Sequence, residues 1–390
     1  MSIAFNTLTA RIDLAAVAAN YELLRARAPG AVPVVKADAY GHGLYPVAWA
    51  LSRAGARTLA VGTVAEAVHL RALPFAGEIL ALLGPIREGA SEPADPDRPC
   101  GPCDTDDYEL ILAHGVTALI HDLAQLERLG TLAAARGVPA KAALKFDTGM
   151  GRLGFSRKDA SRVIAALAKY PALTPVMLCS HLATADDAED EAYATAQGEA
   201  FGDIVEKFAL AGISLEVSLA NSAAILSRPD LALGTGRAGI ALYGANPFWD
   251  TPKAALGANL KPAMSVAASV IAVHDLPAGA GISYGLTYTA ARDMRVAVVQ
   301  AGYADAYSRL GSNTALMHIR GARVPVVGRV CMQLTAVDVS RVPGVRPGDV
   351  AWLLGGQGDA PIRAEELAAW WRTIPYEVFC LLGMNTREYV

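Results

Sequence analysis

The chain has 390 residues, 53% of them hydrophobic, and 34 basic against 38 acidic side chains leave a net charge of −4. That supplies one large core or two moderate ones, and balanced charge without a basic cluster argues against a nucleic-acid partner. The apolar runs stop at strand length, short of the ~20 residues of a membrane helix. The N-terminus lacks the pattern of a secretion signal, and five scattered cysteines point to the cytoplasm.

The first ten residues read as a strand. Asp13 is placed to cap a helix whose apolar residues Leu14, Val17, Tyr21 and Leu24 recur at helical spacing, ending at Pro29-Gly30. Apolar strands are then expected at 32–35, around Leu59, and at 79–83, 116–120, 142–146, 176–179, 215–219 and 238–242, with helical stretches such as 122–136 and 191–210 between them. About eight such units in ~230 residues predict a parallel (β/α)8 barrel over 11–240. From 241 to 390 the rhythm changes. Runs at 264–273, 295–300, 315–319, 324–330, 335–339 and 350–354 follow one another across Gly- and Pro-containing turns, and helices return at 364–372 and 376–382. This predicts a mostly β second domain, which the strand at 1–10 joins.

Lys36 closes the apolar run Val32-Pro33-Val34-Val35, so it is expected at the C-terminal face of the barrel, where barrel active sites lie. Apolar walls there lower an amine's pKa toward nucleophilic use. Gly234-Thr235-Gly236-Arg237-Ala238-Gly239 spells the glycine pattern of a dinucleotide fold, but lacks the following helix and the acidic residue about 20 positions on. Glycines after late barrel strands instead suit a phosphate cradled by backbone N–H groups. Cys100-Gly101-Pro102-Cys103 has redox spacing but lies in a Pro- and Asp-rich loop, and with no second ligand pair a metal site is not expected. His42 and His69 read as a turn and a helix-surface residue.

Residues 34–43, Val-Val-Lys-Ala-Asp-Ala-Tyr-Gly-His-Gly, resemble the cofactor-attachment segment of the alanine racemases. Further segments are similar in family order: 145–154, 180–186, 221–222, 236–244, 282–285, 301–305, 328–332 and 374–377. The resemblance spans about residues 8 to 385. It implies a pyridoxal 5′-phosphate (PLP) isomerase that supplies D-alanine for the cell wall. Lys36 would carry the cofactor and serve the D-enantiomer, and Tyr284 the L-enantiomer, one acid/base group per face. Tyr284 would be bonded by His181, and His181 by Arg237. Arg237 would also face the PLP ring nitrogen, where a guanidinium cannot accept a proton. Tyr40, Ser222, Gly239, Ile240 and Tyr376 would hold the phosphate. Arg152 would orient cofactor and substrate, and Met332 would bind the substrate carboxylate through its backbone N–H. Lys145 corresponds to a position that family members often carbamylate, the alternative being a plain lysine paired with Asp147 or another acid. Tyr303 and Tyr376 would narrow the entrance. Tyr284 and Met332 would reach the neighbouring subunit's barrel, making a homodimer necessary. Gln333 stands where the family usually has Asp, which leaves a broad-specificity racemase, acting for example on serine, as the alternative. Ala306 replaces a usual Gly, and the loop 88–105 is longer than usual. A decarboxylase on the same plan lacks its substrate motifs here, and a single-barrel PLP carrier lacks the second domain.

Overall fold

The computed structural model describes residues 8–86, 106–187, 191–232, 234–358 and 360–390. Cys100, Cys103 and the loop 88–105 lie outside the described residues. Strand β1 (Thr9–Ile12) leads to a helix over Leu14–Arg27, whose N-cap is Asp13: its carboxylate accepts the Ala16 N–H at 2.8 Å. Eight short strands follow: β2 (Val32–Pro33), β3 (Thr58–Val61), β4 (Glu78–Ala81), β5 (Thr117–Ile120), β6 (Ala140–Lys145), β7 (Leu173–Cys179), β8 (Glu216–Ser218) and β9 (Arg237–Ala238). β3 to β8 pair in sequence order, all parallel, and β2 pairs with β9. Val34 bridges Ala60, and the Thr235 N–H donates to the Val217 carbonyl, so the ring closes as a TIM-like barrel. Its strands are runs of Ala, Val, Leu and Ile buried on both faces, as parallel strands require. Helices between them are set by local chemistry. Thr63 and Glu66 form a reciprocal capping box at the start of Val64–Arg71, and Asp122 caps Leu123–Arg136.

The second domain is mostly β. It comprises β10 (Met264–Leu276), β11 (Gly281–Ile282), β12 (Tyr288–Thr289), β13 (Met294–Val299), β14 (Leu316–Ile319), β15 (Ala322–Pro325), β16 (Thr335–Asp338), β17 (Val350–Leu354) and β18 (Thr386–Tyr389). The main sheet runs β15-β14-β17-β10-β1-β18, with β13 on β10 and β16 on β13. The N-terminal β1 thus sits between β10 (antiparallel) and β18 (parallel). Three elements differ from the sequence reading. The run at 238–242 is strand only to Ala238 and then a tight 3-10 turn over Ile240–Tyr243. The run at 324–330 is continuous strand only to Pro325; beyond it Val326 bridges Val337 and the Val327 N–H donates to the Ala336 carbonyl at 2.9 Å before the chain turns at Gly328. Thr386–Tyr389, not anticipated, pairs with β1 as a sixth strand of that sheet path.

Directly after β2 the backbone does something the sequence does not announce. Ala37, Asp38, Ala39 and Tyr40 all have φ near +54°, a full left-handed turn. Each such residue costs on the order of 1–2 kcal/mol, so the turn needs outside support. Glu66 accepts the Ala37 N–H at 2.6 Å, the Asp38 carboxylate accepts the Leu44 N–H at 2.6 Å, and Arg387 pairs with Asp38 at 2.5 Å. His42 is fully buried beneath the turn, its Nδ1 within 3.1 Å of the Ala39 carbonyl and 3.0 Å of that of Tyr40. Two carbonyls can only accept, so Nδ1 carries the proton. Nε2 has no hydrogen-bond partner among the described residues, and the ring lies against Tyr243 and Phe379. His42 is therefore a buried support rather than the simple turn residue expected.

Burial pushes the His42 pKa down to about 4, against the upward pull of the two carbonyls. The folded value lies below the unfolded one of about 6.5, so the unfolded chain binds more protons between them. The contribution is complete above pH ~6.5 and is lost as pH falls toward 4, by roughly 3 kcal/mol in all. Urea unfolding of wild type and His42→Phe at pH 7.5 and 4.5 checks this: the variant is expected to lose less stability across the window. Equal losses would mean that His42 titrates normally.

Candidate active site

The C-terminal ends of β2, β6, β7 and β9 converge at the barrel mouth and bring Lys36, Lys145, His181 and Arg237 together. Arg237 lies on β9 with its guanidinium buried. It donates to the Ser218 carbonyl at 3.1 Å, the Ser180 carbonyl at 2.5 Å and Nδ1 of His181 at 3.1 Å. A guanidinium only donates, so Nδ1 of His181 holds a lone pair and Nε2 carries the hydrogen. Burial first, then Arg237, Lys145, Arg152 and Lys36, hold the His181 pKa well below its usual value. His181 is thus a neutral donor in a strongly cationic field. Its backbone is fixed by buried Gln197, whose Nε2 donates to the His181 carbonyl at 3.0 Å while its Oε1 accepts the Ala183 N–H at 2.9 Å.

Lys36 reaches solvent through the mouth, but its surroundings strip enough water from the amine to lower its pKa, and Arg152 lowers it further against an upward pull from Glu66. Lys145, at the end of β6, is buried. Its pKa is lowered by burial and by Arg237 and Arg152, against the upward pull of Cys179 and Asp147. The alternative to carbamylation, a plain lysine paired with Asp147 or another acid, is not formed: Lys145 has no ion pair among the described residues. Asp147 is engaged by its own loop, accepting the N–H groups of Gly149 at 2.8 Å and Arg152 at 3.1 Å. Burial alone would raise the Asp147 pKa, but backbone N–H donors outweigh it and hold it low. The loop that carries Arg152 is organised on that carboxylate.

A cradle lies on the opposite wall. Ser222 Oγ accepts the N–H groups of Gly239 at 2.8 Å and Ala241 at 3.3 Å. A Cβ added at Gly239 would stand 2.9 Å from the Tyr40 hydroxyl oxygen and 3.8 Å from Ser222 Oγ. The space is therefore walled by hydroxyls and backbone and kept open by the absence of a side chain. Burial raises the Tyr40 pKa, with Tyr376 and Cys380 adding to it, so its hydroxyl stays a donor. The Tyr376 ring lies 5.9 Å from that of Tyr40. Neutral hydroxyl donors and backbone N–H groups suit a phosphate dianion.

Residues 12–247 match the family described as alanine racemase, N-terminal domain, and residues 263–390 match its C-terminal domain. The chain belongs to the alanine racemase family. The alanine racemase of Nitratidesulfovibrio vulgaris (strain Miyazaki F) is 49% identical over the whole of both chains. The solved alanine racemase of Streptomyces coelicolor A3(2) superposes with a TM-score of 0.86 at 34% identity, covering 98% of each chain. That of Bartonella henselae, described with covalently bound pyridoxal phosphate, gives 0.83 at 29% identity, covering 98% of this chain and 99% of its own.

Two expected members of the racemase site are not brought to Lys36 within one chain. Tyr284 sits at the tip of the β11–β12 hairpin, 70% exposed, and makes no hydrogen bond among the described residues. It is not the half-buried strand residue that a lone Tyr in a β domain suggests. Met332 is 58% exposed. They share one face: Ser283 Oγ donates to the Arg329 carbonyl at 2.6 Å and lies 3.4 Å from Cys331 Sγ, and the Tyr303 N–H donates to the Cys331 carbonyl at 3.1 Å. Glu66, Gln197 and Cys380 also belong to the site's surroundings and were not singled out by sequence. Only the Thr63–Glu66 capping-box spacing gave any signal, and that for a helix start.

Proposed function

We propose that Lys36 and Tyr284 are the two acid/base groups of this racemase, on opposite faces of the substrate, with Tyr284 contributed by a second copy of the chain. The enzyme interconverts L- and D-alanine, and its cofactor is PLP. When bound in the mouth, PLP would supply the electron sink that makes the substrate's Cα proton acidic. Lys36 holds the cofactor and exchanges that proton on one face through Nζ, aided by its lowered pKa. Tyr40, Ser222, Tyr376 and the N–H groups of Gly239 and Ile240 hold the phosphate. Arg237, fixed by Ser218 and Ser180, would face the ring nitrogen and leave it unprotonated, because a guanidinium donates a hydrogen bond without giving up its proton. Arg152 orients the substrate, and the Met332 N–H binds its carboxylate. D-alanine made this way feeds the cell wall.

The observation that carries the reading is the neutral His181, whose Nδ1 is occupied by Arg237 and whose Nε2–H is free to donate. A donor in a cationic field stabilises a phenolate, which is what a tyrosine base requires, since its ordinary pKa is about 10. Tyr284, Leu286, Tyr303, Met332 and Leu334 are large side chains left exposed in this domain, which suits burial against a second subunit. The chain divides at about residue 240: the barrel unit lies between β1 and that point, and 241–390 together with β1 (Thr9–Ile12) form the β-rich unit. No helix among the described residues is long and apolar enough to cross a membrane. The free thiols of Cys179, Cys331 and Cys380 suit the cytoplasm.

Lys145 is carbamylated in this reading. A buried lysine facing two guanidiniums without an ion pair is unfavourable, and a carbamate reverses the sign beside Arg152. Protein equilibrated with 13C-bicarbonate is expected to show a carbamate carbon resonance that is missing in Lys145→Arg. The same spectrum from both proteins would rule it out.

The function is tested by incubating the purified, PLP-loaded protein with L-alanine and, in parallel, L-serine, and measuring the D-enantiomers. Rapid conversion of alanine and slow conversion of serine is expected. Comparable serine conversion would favour a broad-specificity racemase, with the exposed Gln333 as the first residue to revert to Asp. Conversion of neither would overturn the reading.

A further inference from the structure

Asn385 links two parts of the chain that the mechanism treats separately. It is 4% exposed, and its Nδ2 donates to the Leu382 carbonyl at 3.0 Å and to the Asp305 carbonyl at 3.0 Å. On one side stands the end of the helix Pro375–Leu382, which carries Tyr376 and Cys380. That helix end is locked to the Lys36 turn. A Cβ at Gly41 would overlap the Phe379 carbonyl, and one at Gly383 would overlap the Gly41 carbonyl. Arg387 donates through Nε to the Gly383 carbonyl at 2.8 Å while pairing with Asp38 inside the turn at 2.5 Å.

On the other side stands the 3-10 turn Tyr303–Asp305. The buried Asp305 carboxylate accepts the Gly302 N–H at 3.0 Å and closes that turn. The turn is in turn fused to the segment carrying Met332. The Tyr303 N–H donates to the Cys331 carbonyl at 3.1 Å, the Ala304 N–H donates to the Met332 carbonyl at 2.9 Å, and any Cβ at Gly302 would overlap both of those carbonyls. Backbone packed this closely moves as a unit or not at all.

We propose that Asn385 is a positioning residue that couples the chain's own Lys36 turn to the Tyr303–Met332 face it presents to the partner subunit, so that the two active sites of the dimer are mechanically joined through each chain. The inference rests on the shared-site reading above. Its distinctive consequence is that one substitution acts at two places. In the chain that supplies Lys36 it loosens the cofactor side. In the chain that supplies Tyr284 and Met332 it loosens the partner's substrate side.

Mixed dimers separate the two. A Lys36→Ala chain combined with a Tyr284→Phe chain leaves a single working site, in which one chain supplies Lys36 and the other Tyr284. Asn385→Ala is placed first on one chain and then on the other; kcat and KM for L-alanine are measured on each mixed dimer with PLP saturating, and the PLP requirement by titrating PLP with L-alanine saturating. Loss of two hydrogen bonds is expected to raise KM about tenfold when Asn385→Ala lies on the Tyr284-supplying chain, with kcat within about threefold. On the Lys36-supplying chain it is expected to raise the PLP concentration for half-maximal activity by a similar factor. Asn385→Asp, which keeps the shape and removes the donor, is expected to reproduce both effects. Asn385→Ser retains a short donor and should recover part of each. An effect confined to one placement, or a fall in kcat alone with KM and PLP requirement unchanged, would overturn the coupling. No activity in any mixture, with or without Asn385→Ala, would overturn the shared-site reading itself.

Discussion

Lys36→Ala is expected to abolish racemisation, by at least about 10³-fold, and to remove the visible absorption of lysine-bound PLP while leaving the protein folded. The expectation follows from what surrounds the side chain. Four consecutive residues in the left-handed region are held by Glu66, the Asp38–Arg387 pair and His42. Strain of this kind persists where the surroundings over-determine it, and it concentrates at sites that must place one group accurately. Here it directs the chain away from β2 immediately after Lys36. The amine is also depressed toward its neutral form by lost hydration and by Arg152. Alanine at 36 removes the group but none of its supports, so folding should survive and catalysis should not. Racemisation within tenfold of wild type, with PLP present, would mean that another amine serves. Lys145 would be the first to test, since it opens on the same cationic cluster.

Tyr284→Phe is expected to lower kcat by about 10² to 10⁴-fold, the range for removing a positioned acid/base group, with the lysine-bound PLP spectrum and thermal stability unchanged. The residue is 70% exposed at a hairpin tip, so its hydroxyl contributes almost nothing to the fold. Whatever the substitution costs is therefore functional. The remaining activity should show an asymmetry, with exchange of the Cα proton of D-alanine, the Lys36 face, surviving better than that of L-alanine. Equal loss in both directions of exchange, together with a lost cofactor spectrum, would indicate that Tyr284 supports the cofactor instead.

Much of this architecture is legible in the chain. Uninterrupted apolar runs separated by capped helices carry the parallel barrel, because a strand buried on both faces has no polar side to alternate. Lys36 at the exit of Val32-Pro33-Val34-Val35 is placed at the catalytic face by that logic alone. The glycines around Arg237 mark a close approach that Ser222 and Tyr40 make physical. What is not legible depends on distant partners. Nothing in Ala37-Asp38-Ala39-Tyr40 favours φ > 0; the turn exists because residues at 66 and 387 hold it. His42 looks like a turn residue until Phe379 and Tyr243 close over it. Asn385 gains its meaning from a carbonyl 80 positions away. Tyr284 was placed by resemblance, since strands of two residues, as in β11 and β12, leave no periodicity to read.

The central claim, that each active site is built from two chains, is tested most directly by mixing the two inactive proteins. Lys36→Ala and Tyr284→Phe are unfolded together, refolded with PLP, and assayed for D-alanine formation. Random association makes half the dimers mixed, each with one intact site, so about a quarter of the wild-type activity is expected to return. A mixture as inactive as its two components would contradict the account and place both groups in the same chain.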